Sequence, residues 1–274
     1  MPTIPATVPP LPRAVNWNRD LPVSAAFSWL RAGWRDLFDG PAPSFAYGVG
    51  VFLLSVAVIA GMFAFGWDHI LFPALAGFMV VAPTLAVGLY QKSRRLAEGQ
   101  RATLTEMLFV EARSGGQILF IGAILCVLML LWMRTAVIIY ALFFGLRPFP
   151  GIEHIAPTLF GTPVGLAMLG VGSAVGGLFA ASAFAIGTLS IPMLLNERLD
   201  AFTAMGTSAA LIRNNLPVML VWGAIVLALV LASLATGMLG LILVFPLLGH
   251  ATWHAYVALR QPEERTRPPA GPRG

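Results

Sequence analysis

The chain has 274 residues, of which 58% are hydrophobic and only 11% charged. A soluble domain carries about 25% charged residues, so this composition excludes an ordinary water-facing globule and marks a membrane protein. The formal charge of +5 is spread over short segments between apolar runs, which excludes a continuous basic face for nucleic acid and fits contacts with anionic lipid head groups.

The first 22 residues contain Pro2, Pro5, Pro9, Pro10, Pro12 and Pro22 and no apolar stretch of signal-peptide type. Residues 1–22 are expected to be a disordered tail, residues 23–260 an integral membrane domain, and residues 261–274 a second disordered tail. The first span must then act as an uncleaved insertion signal.

Runs of roughly 20 apolar residues predict six spans in an all-α polytopic helix bundle. The first runs from about Ser44 to Gly66 and the second from His69 to Tyr90. The third runs from Gln117 to about Gly145, and the fourth from Val164 to about Leu195. The stretch from Leu216 to Leu259 is too long for one crossing and is divided near Thr236-Gly237, although no charge marks the break.

A short amphipathic segment precedes each odd-numbered span. In the first, Phe27, Leu30, Trp34 and Leu37 share a helical face. In the second, Thr103 and Glu106 have capping-box spacing. In the third, Phe202, Met205, Ala209 and Ile212 follow an Asp200 cap. Each even-numbered span carries a proline in a P-x-L setting, at Pro83, Pro192 and Pro246. Bent helices in equivalent places would make the chain three copies of one hairpin unit, with coincidence as the alternative.

The basic residues fix an orientation. Of 17 Lys and Arg residues, only Arg134 and Arg147 fall outside the segments that flank the spans on one side. The positive-inside rule then places both termini in the cytoplasm, in a bacterial inner membrane.

Few polar residues interrupt the apolar runs. Arg134 lies inside the third span, where a charge suggests an anion, lipid-phosphate or transport site. At about 26 Å along the helix from Gln117, it equally suits an arginine that snorkels to the outer interface, with Trp132 in an aromatic belt. The segment from Ala136 to Gly145 would then lie as a tilted end against the outer surface. His250 and His254 are four apart and share a face, a spacing that can hold a metal. The competing explanation is an interfacial belt with Trp253 and Tyr256. A third ligand would have to come from elsewhere, for example Cys126. Gly172, Gly176 and Ala180 form a ridge suited to close helix packing. No buried acidic pair, phosphate loop, nucleophile elbow or H-E-x-x-H motif occurs.

Several segments resemble a known family. They are Trp29-Leu30-Arg31-Ala32-Gly33-Trp34-Arg35-Asp36-Leu37, Gly88-Leu89-Tyr90 with Ser93-Arg94-Arg95-Leu96, Pro192-Met193-Leu194-Leu195, and Gly249-His250-Ala251-Thr252-Trp253-His254-Ala255-Tyr256. Together they resemble a bacterial family of predicted integral membrane proteins described as a domain of unknown function, over about residues 25–258. Some relatives bear the label "cytochrome c oxidase subunit I". The four histidines here are too few for the ligands of two haems and a copper, so the label does not transfer. The resemblance implies an inner-membrane protein without a stated activity. The expected function is non-enzymatic, structural or accessory, with no cofactor. Its expected partners are the lipid bilayer and a membrane protein or second copy. The alternatives are a small-molecule or ion transporter, resting on Arg134, and a metal or haem protein, resting on His250 and His254.

Overall fold

In the computed structural model, residues 16–145 and 151–260 are described, and among them every regular element is helical. The chain runs through α1 (Ala25–Phe38), α2 (Pro41–Ala64), a 3-10 turn (Asp68–Ile70), α3 (Leu71–Leu85), α4 (Val87–Ala97), α5 (Leu104–Leu108) and α6 (Gly115–Phe144). It continues through α7 (Ile152–Gly161), α8 (Pro163–Gly187), α9 (Ser190–Asn196), α10 (Ala201–Asn214), α11 (Leu216–Ala235) and α12 (Leu241–Arg260).

Six spans emerge by length and apolar composition: Pro41–Ala64, Asp68–Ala97, Gly115–Phe144, Pro163–Asn196, Leu216–Ala235 and Leu241–Arg260. Each agrees with its predicted counterpart to within a few residues, except that the second continues to Ala97. Proline opens α2, α8 and α11, where its missing N–H costs nothing and its fixed φ favours the helix. The unmarked turn between the last two spans falls at residues 236–240. Gly237 and Met238 both take positive φ there, and Thr236 Oγ1 accepts from the Gly240 amide. Large side chains cover the outside of the spans; Leu119, Leu142 and Leu178 are each at least 70% exposed. Such a surface suits lipid and not water.

Short helices α1, α5 and α10 each precede an odd-numbered span, while α7 stands before the fourth. α1 lies along α12, α5 against α4, and α10 against α8 and α9. The prolines do not act alike, however. The second span breaks at Ala86, just after Pro83, and the fourth at Thr188, four residues before Pro192. The sixth runs unbroken through Pro246. Pro246 cannot donate to the Ile242 carbonyl, and Gly48 of α2 comes up against that oxygen so closely that a Cβ could not fit.

The buried faces of two amphipathic helices also differ from expectation. α1 buries Ala26, Trp29, Gly33 and Leu37, while Phe27 and Trp34 are exposed. A Cβ on Gly33 would stand 2.6 Å from the Ala251 amide nitrogen, so the small-residue face is the one that fits α12. The large residues are left for the surroundings. α10 likewise buries Ala201, Ala204, Ser208, Leu211 and Ile212 and exposes Phe202. The two expected caps are present. Thr103 and Glu106 form a full capping box, and Asp200 accepts from the Thr203 amide at 2.9 Å.

Both ends of the described chain lie at one end of the bundle, the inner end hereafter. Arg19 donates from Nε to the Leu259 carbonyl at 2.8 Å, and its backbone N–H donates to Asn215 Oδ1 at 2.9 Å. The expected N-terminal tail is therefore anchored from about residue 17 onward, with Trp17 and Leu21 packed on the core. Most of that tail, all of residues 261–274, and Arg147 lie outside the described residues. α12 is the central helix. Its most apolar window is 67% buried, against 17% for each of the first three spans.

Candidate functional site

Two features stand out, one polar and one apolar. At the inner end, six side chains from α1, α2, α4 and α12 form one continuous hydrogen-bonded chain. Lys92 Nζ donates to the Gly40 carbonyl at 2.9 Å and to Ser44 Oγ at 2.8 Å. Ser44 Oγ lies 2.9 Å from His250 Nε2, and His250 Nδ1 lies 2.8 Å from Ser93 Oγ. Ser93 donates to Asp36 Oδ2 at 2.6 Å, and the same oxygen is 2.8 Å from His254 Nε2.

The donor inventory sets the direction of this chain. Lysine has no acceptor, so Ser44 must accept from it and pass its own hydrogen to Nε2 of His250. His250 is then neutral with its hydrogen on Nδ1, donated to Ser93, and Ser93 donates onward to the carboxylate. The tautomer follows from the network. Lys92 and His250 are essentially without exposed surface, and a buried charge is tolerated only when its hydrogens are satisfied. Gly40, at φ +66°, supplies the left-handed residue that turns α1 into α2 and aims its carbonyl at Lys92.

The two histidines weighed as an alternative metal pair have other partners. His250 is held by two serines, and His254 by Asp36. Among the described residues no three His, Cys, Asp or Glu side chains group as metal ligands. Cys126 is exposed on α6 and supplies no third ligand. Sequence reading missed Asp36, Ser44, Lys92 and Ser93, treating their segments as topology signals or span ends. One signal was present: Lys92 is the only lysine among the 17 Lys and Arg residues.

A neighbouring ring of contacts ties the even spans together. Glu197 accepts from Tyr256 (2.9 Å) and from Arg260 (3.1 and 3.0 Å), while Arg94 donates to the Leu195 carbonyl.

The apolar feature is a cavity of about 1140 Å³ bounded by α3, α6, α8, α11 and α12. That is just beyond the range of about 300–1,000 Å³ usual for small-molecule sites. It extends from Asp68 and His69 at the outer end to Tyr90, Thr188 and Thr252 toward the inner end. At its inner corner Phe184 of α8 reaches Gly223 of α11. Farther out, Leu227 lines the cavity and is still 47% exposed.

The small-residue ridge borders this space. Gly172, Gly176 and Ala180 all line it. Gly176 also performs the expected packing role, because a Cβ there would stand 2.8 Å from the Trp132 ring. A Cβ on Gly172 would meet nothing within 4 Å. Trp132 is not part of an outward belt. Its Nε1 donates to the Pro73 carbonyl at 3.0 Å and the ring wedges between α3 and α8. Arg134 sits exposed on α6, outside the cavity lining. The segment expected to lie as a tilted end after Arg134 is the uninterrupted continuation of α6 to Phe144. His69 marks the outer mouth, and His154 lies in α7.

The comparisons agree with this architecture. Residues 71–196 match the family described as "Predicted integral membrane protein (DUF2189)". This is a membrane domain of unknown function, the kind of family that the sequence resembles. The matched segment takes in α3 through α9, and hence Lys92, Ser93, the small-residue ridge and Thr188. No curated protein and no solved structure matches the chain significantly.

Proposed function

We propose that this chain is a non-enzymatic membrane protein whose bundle accommodates the apolar tail of a lipid. The observation that carries the reading is the large cavity, lined almost wholly by apolar side chains, some of which, such as Leu227, are also exposed on the outside of the bundle. A space of this size facing hydrocarbon is filled most readily by an acyl chain, which gains dispersion contacts that an empty wall forfeits. The polar chain at the inner end is assigned a holding role. It satisfies a buried ammonium group and fastens the first unit to α12.

The same reading places the protein in a bacterial inner membrane with both termini in the cytoplasm. The clustering of basic residues on one side supports that orientation, as does the docking of residue 19 beside residue 259. A transporter driven by a charge at Arg134 fits less well, because that residue faces away from the cavity.

The test is lipid content. Purified wild-type protein is expected to carry tightly held lipid detectable by native mass spectrometry. Gly172→Trp or Ala180→Trp should remove most of it while leaving the helical content unchanged. Wild-type protein free of lipid, or filled variants that hold as much as wild type, would overturn the reading.

A further inference from the structure

The cavity is not uniform along its length. At the inner end Tyr90 lines it and is only 2% exposed, yet its hydroxyl makes no hydrogen bond among the described residues. Thr188, 5% exposed, lines the same end and its hydroxyl is likewise unpartnered. Neither oxygen is among the fully buried polar atoms that lack a partner, so both hydroxyls keep accessible surface where their residues line the cavity, with hydrogen-bonding capacity unused.

Their depth is consistent. Tyr90 is seven residues from the end of α4 at Ala97, and Thr188 is eight from the end of α9 at Asn196. Each is therefore about 10–12 Å inside the inner end. The charged groups lining the cavity, Asp68 and His69, lie at the opposite mouth, roughly 30 Å away along the second span. An ionised head at the inner end would meet no countercharge, and that burial is costly. A neutral head would meet two free hydroxyls.

We propose that the inner end of the cavity is a head-group site for an uncharged amphiphile, whose ester or hydroxyl group hydrogen-bonds to Tyr90 and Thr188 while its tail runs outward along α8. The proposal rests on the lipid-tail reading above and adds to it an orientation and a chemical class of ligand.

Three probes with one tail separate the two claims: 1-monooleoylglycerol, oleate at pH 9, and octadecene. Equilibrium binding is measured on the full chain in nanodiscs. The expected result is that monooleoylglycerol binds about tenfold more tightly than octadecene, each hydrogen bond contributing a factor of a few, and that oleate binds more weakly than the neutral ester. In the Y90F/T188V double variant the preference for monooleoylglycerol over octadecene should disappear, with octadecene binding retained.

Equal binding of monooleoylglycerol and octadecene by the wild-type protein would overturn the head-group site and leave the tail cavity standing. A preference that survives in the double variant would do the same. Failure of all three probes would remove the cavity reading and this proposal together. The wild-type comparison decides the matter even if the variant does not fold.

Discussion

Lys92, Ser44, His250 and Ser93 show why a membrane bundle can bury an amine at little risk. Two of the three ammonium hydrogens have acceptors, the Gly40 carbonyl and Ser44, and the partners of the chain come from different helices. Removing His250 takes the acceptor from Ser44 and the donor from Ser93, although Lys92 still donates to Ser44 and Ser93 still donates to Asp36. His250→Leu is expected to destabilise the protein by about 2–4 kcal/mol, since each unsatisfied buried group costs about 1–3 kcal/mol; thermal unfolding in detergent measures it. Lys92→Met and His250→Leu combined should cost less than their sum, because they act on one network. At the surface the caps behave differently. The Thr203 hydroxyl and amide hold the Asp200 carboxyl below its ordinary range. Its contribution is therefore present above the unfolded value and lost as pH falls through the lowered folded one. Amide exchange at the start of α10 should rise only in that acid window. The Asp200 and Thr103 caps were legible because capping depends on residues three apart. The polar chain was not, because Asp36 and His254 are 218 residues apart and local spacing carries no sign of their pairing.

Element by element, the spans were readable because lipid imposes a single rule, an apolar length sufficient to cross. The turn at residues 236–240 was readable for the same reason, since a helix of twice the required length has to fold back. The faces of α1 and α10 were misread by about one residue. Side-chain size alone would bury Phe27 and Phe202, but the helices approach through Gly33, Ala26, Ala201 and Ala204, and the large residues are displaced toward the bilayer. Close approach through small residues is the usual packing device in membranes. Gly33→Ala should therefore destabilise the α1–α12 contact by about 1–3 kcal/mol, the usual cost of overpacking. Gly172→Ala should cost almost nothing, since its Cβ would enter open space. Parallel unfolding curves of the two variants check the contrast.

For the whole molecule, α12 is flanked chiefly by α1, α2, α4 and α11, with a polar fastening at the inner end and an apolar cavity bounded by α3, α6, α8, α11 and α12. Charged side chains concentrate at the end that holds the polar fastening, with Asp68 and Arg134 among the exceptions. Reporter fusions after Gly99 and at Arg147 should report opposite compartments, with Gly99 cytoplasmic. The cavity was invisible in the sequence because its walls are the same Leu, Phe, Ala and Gly that would fill a closed core, and only tertiary arrangement separates a gap from a seam. Photo-crosslinking with a diazirine-bearing acyl lipid, followed by peptide mapping, tests its occupancy most directly. Adducts on Gly172, Gly176 and Ala180 of α8 and on Leu227 and Val230 of α11 are expected, in addition to those on the outer surface. Adducts confined to outward residues such as Leu119, Leu142 and Leu178 would contradict the account.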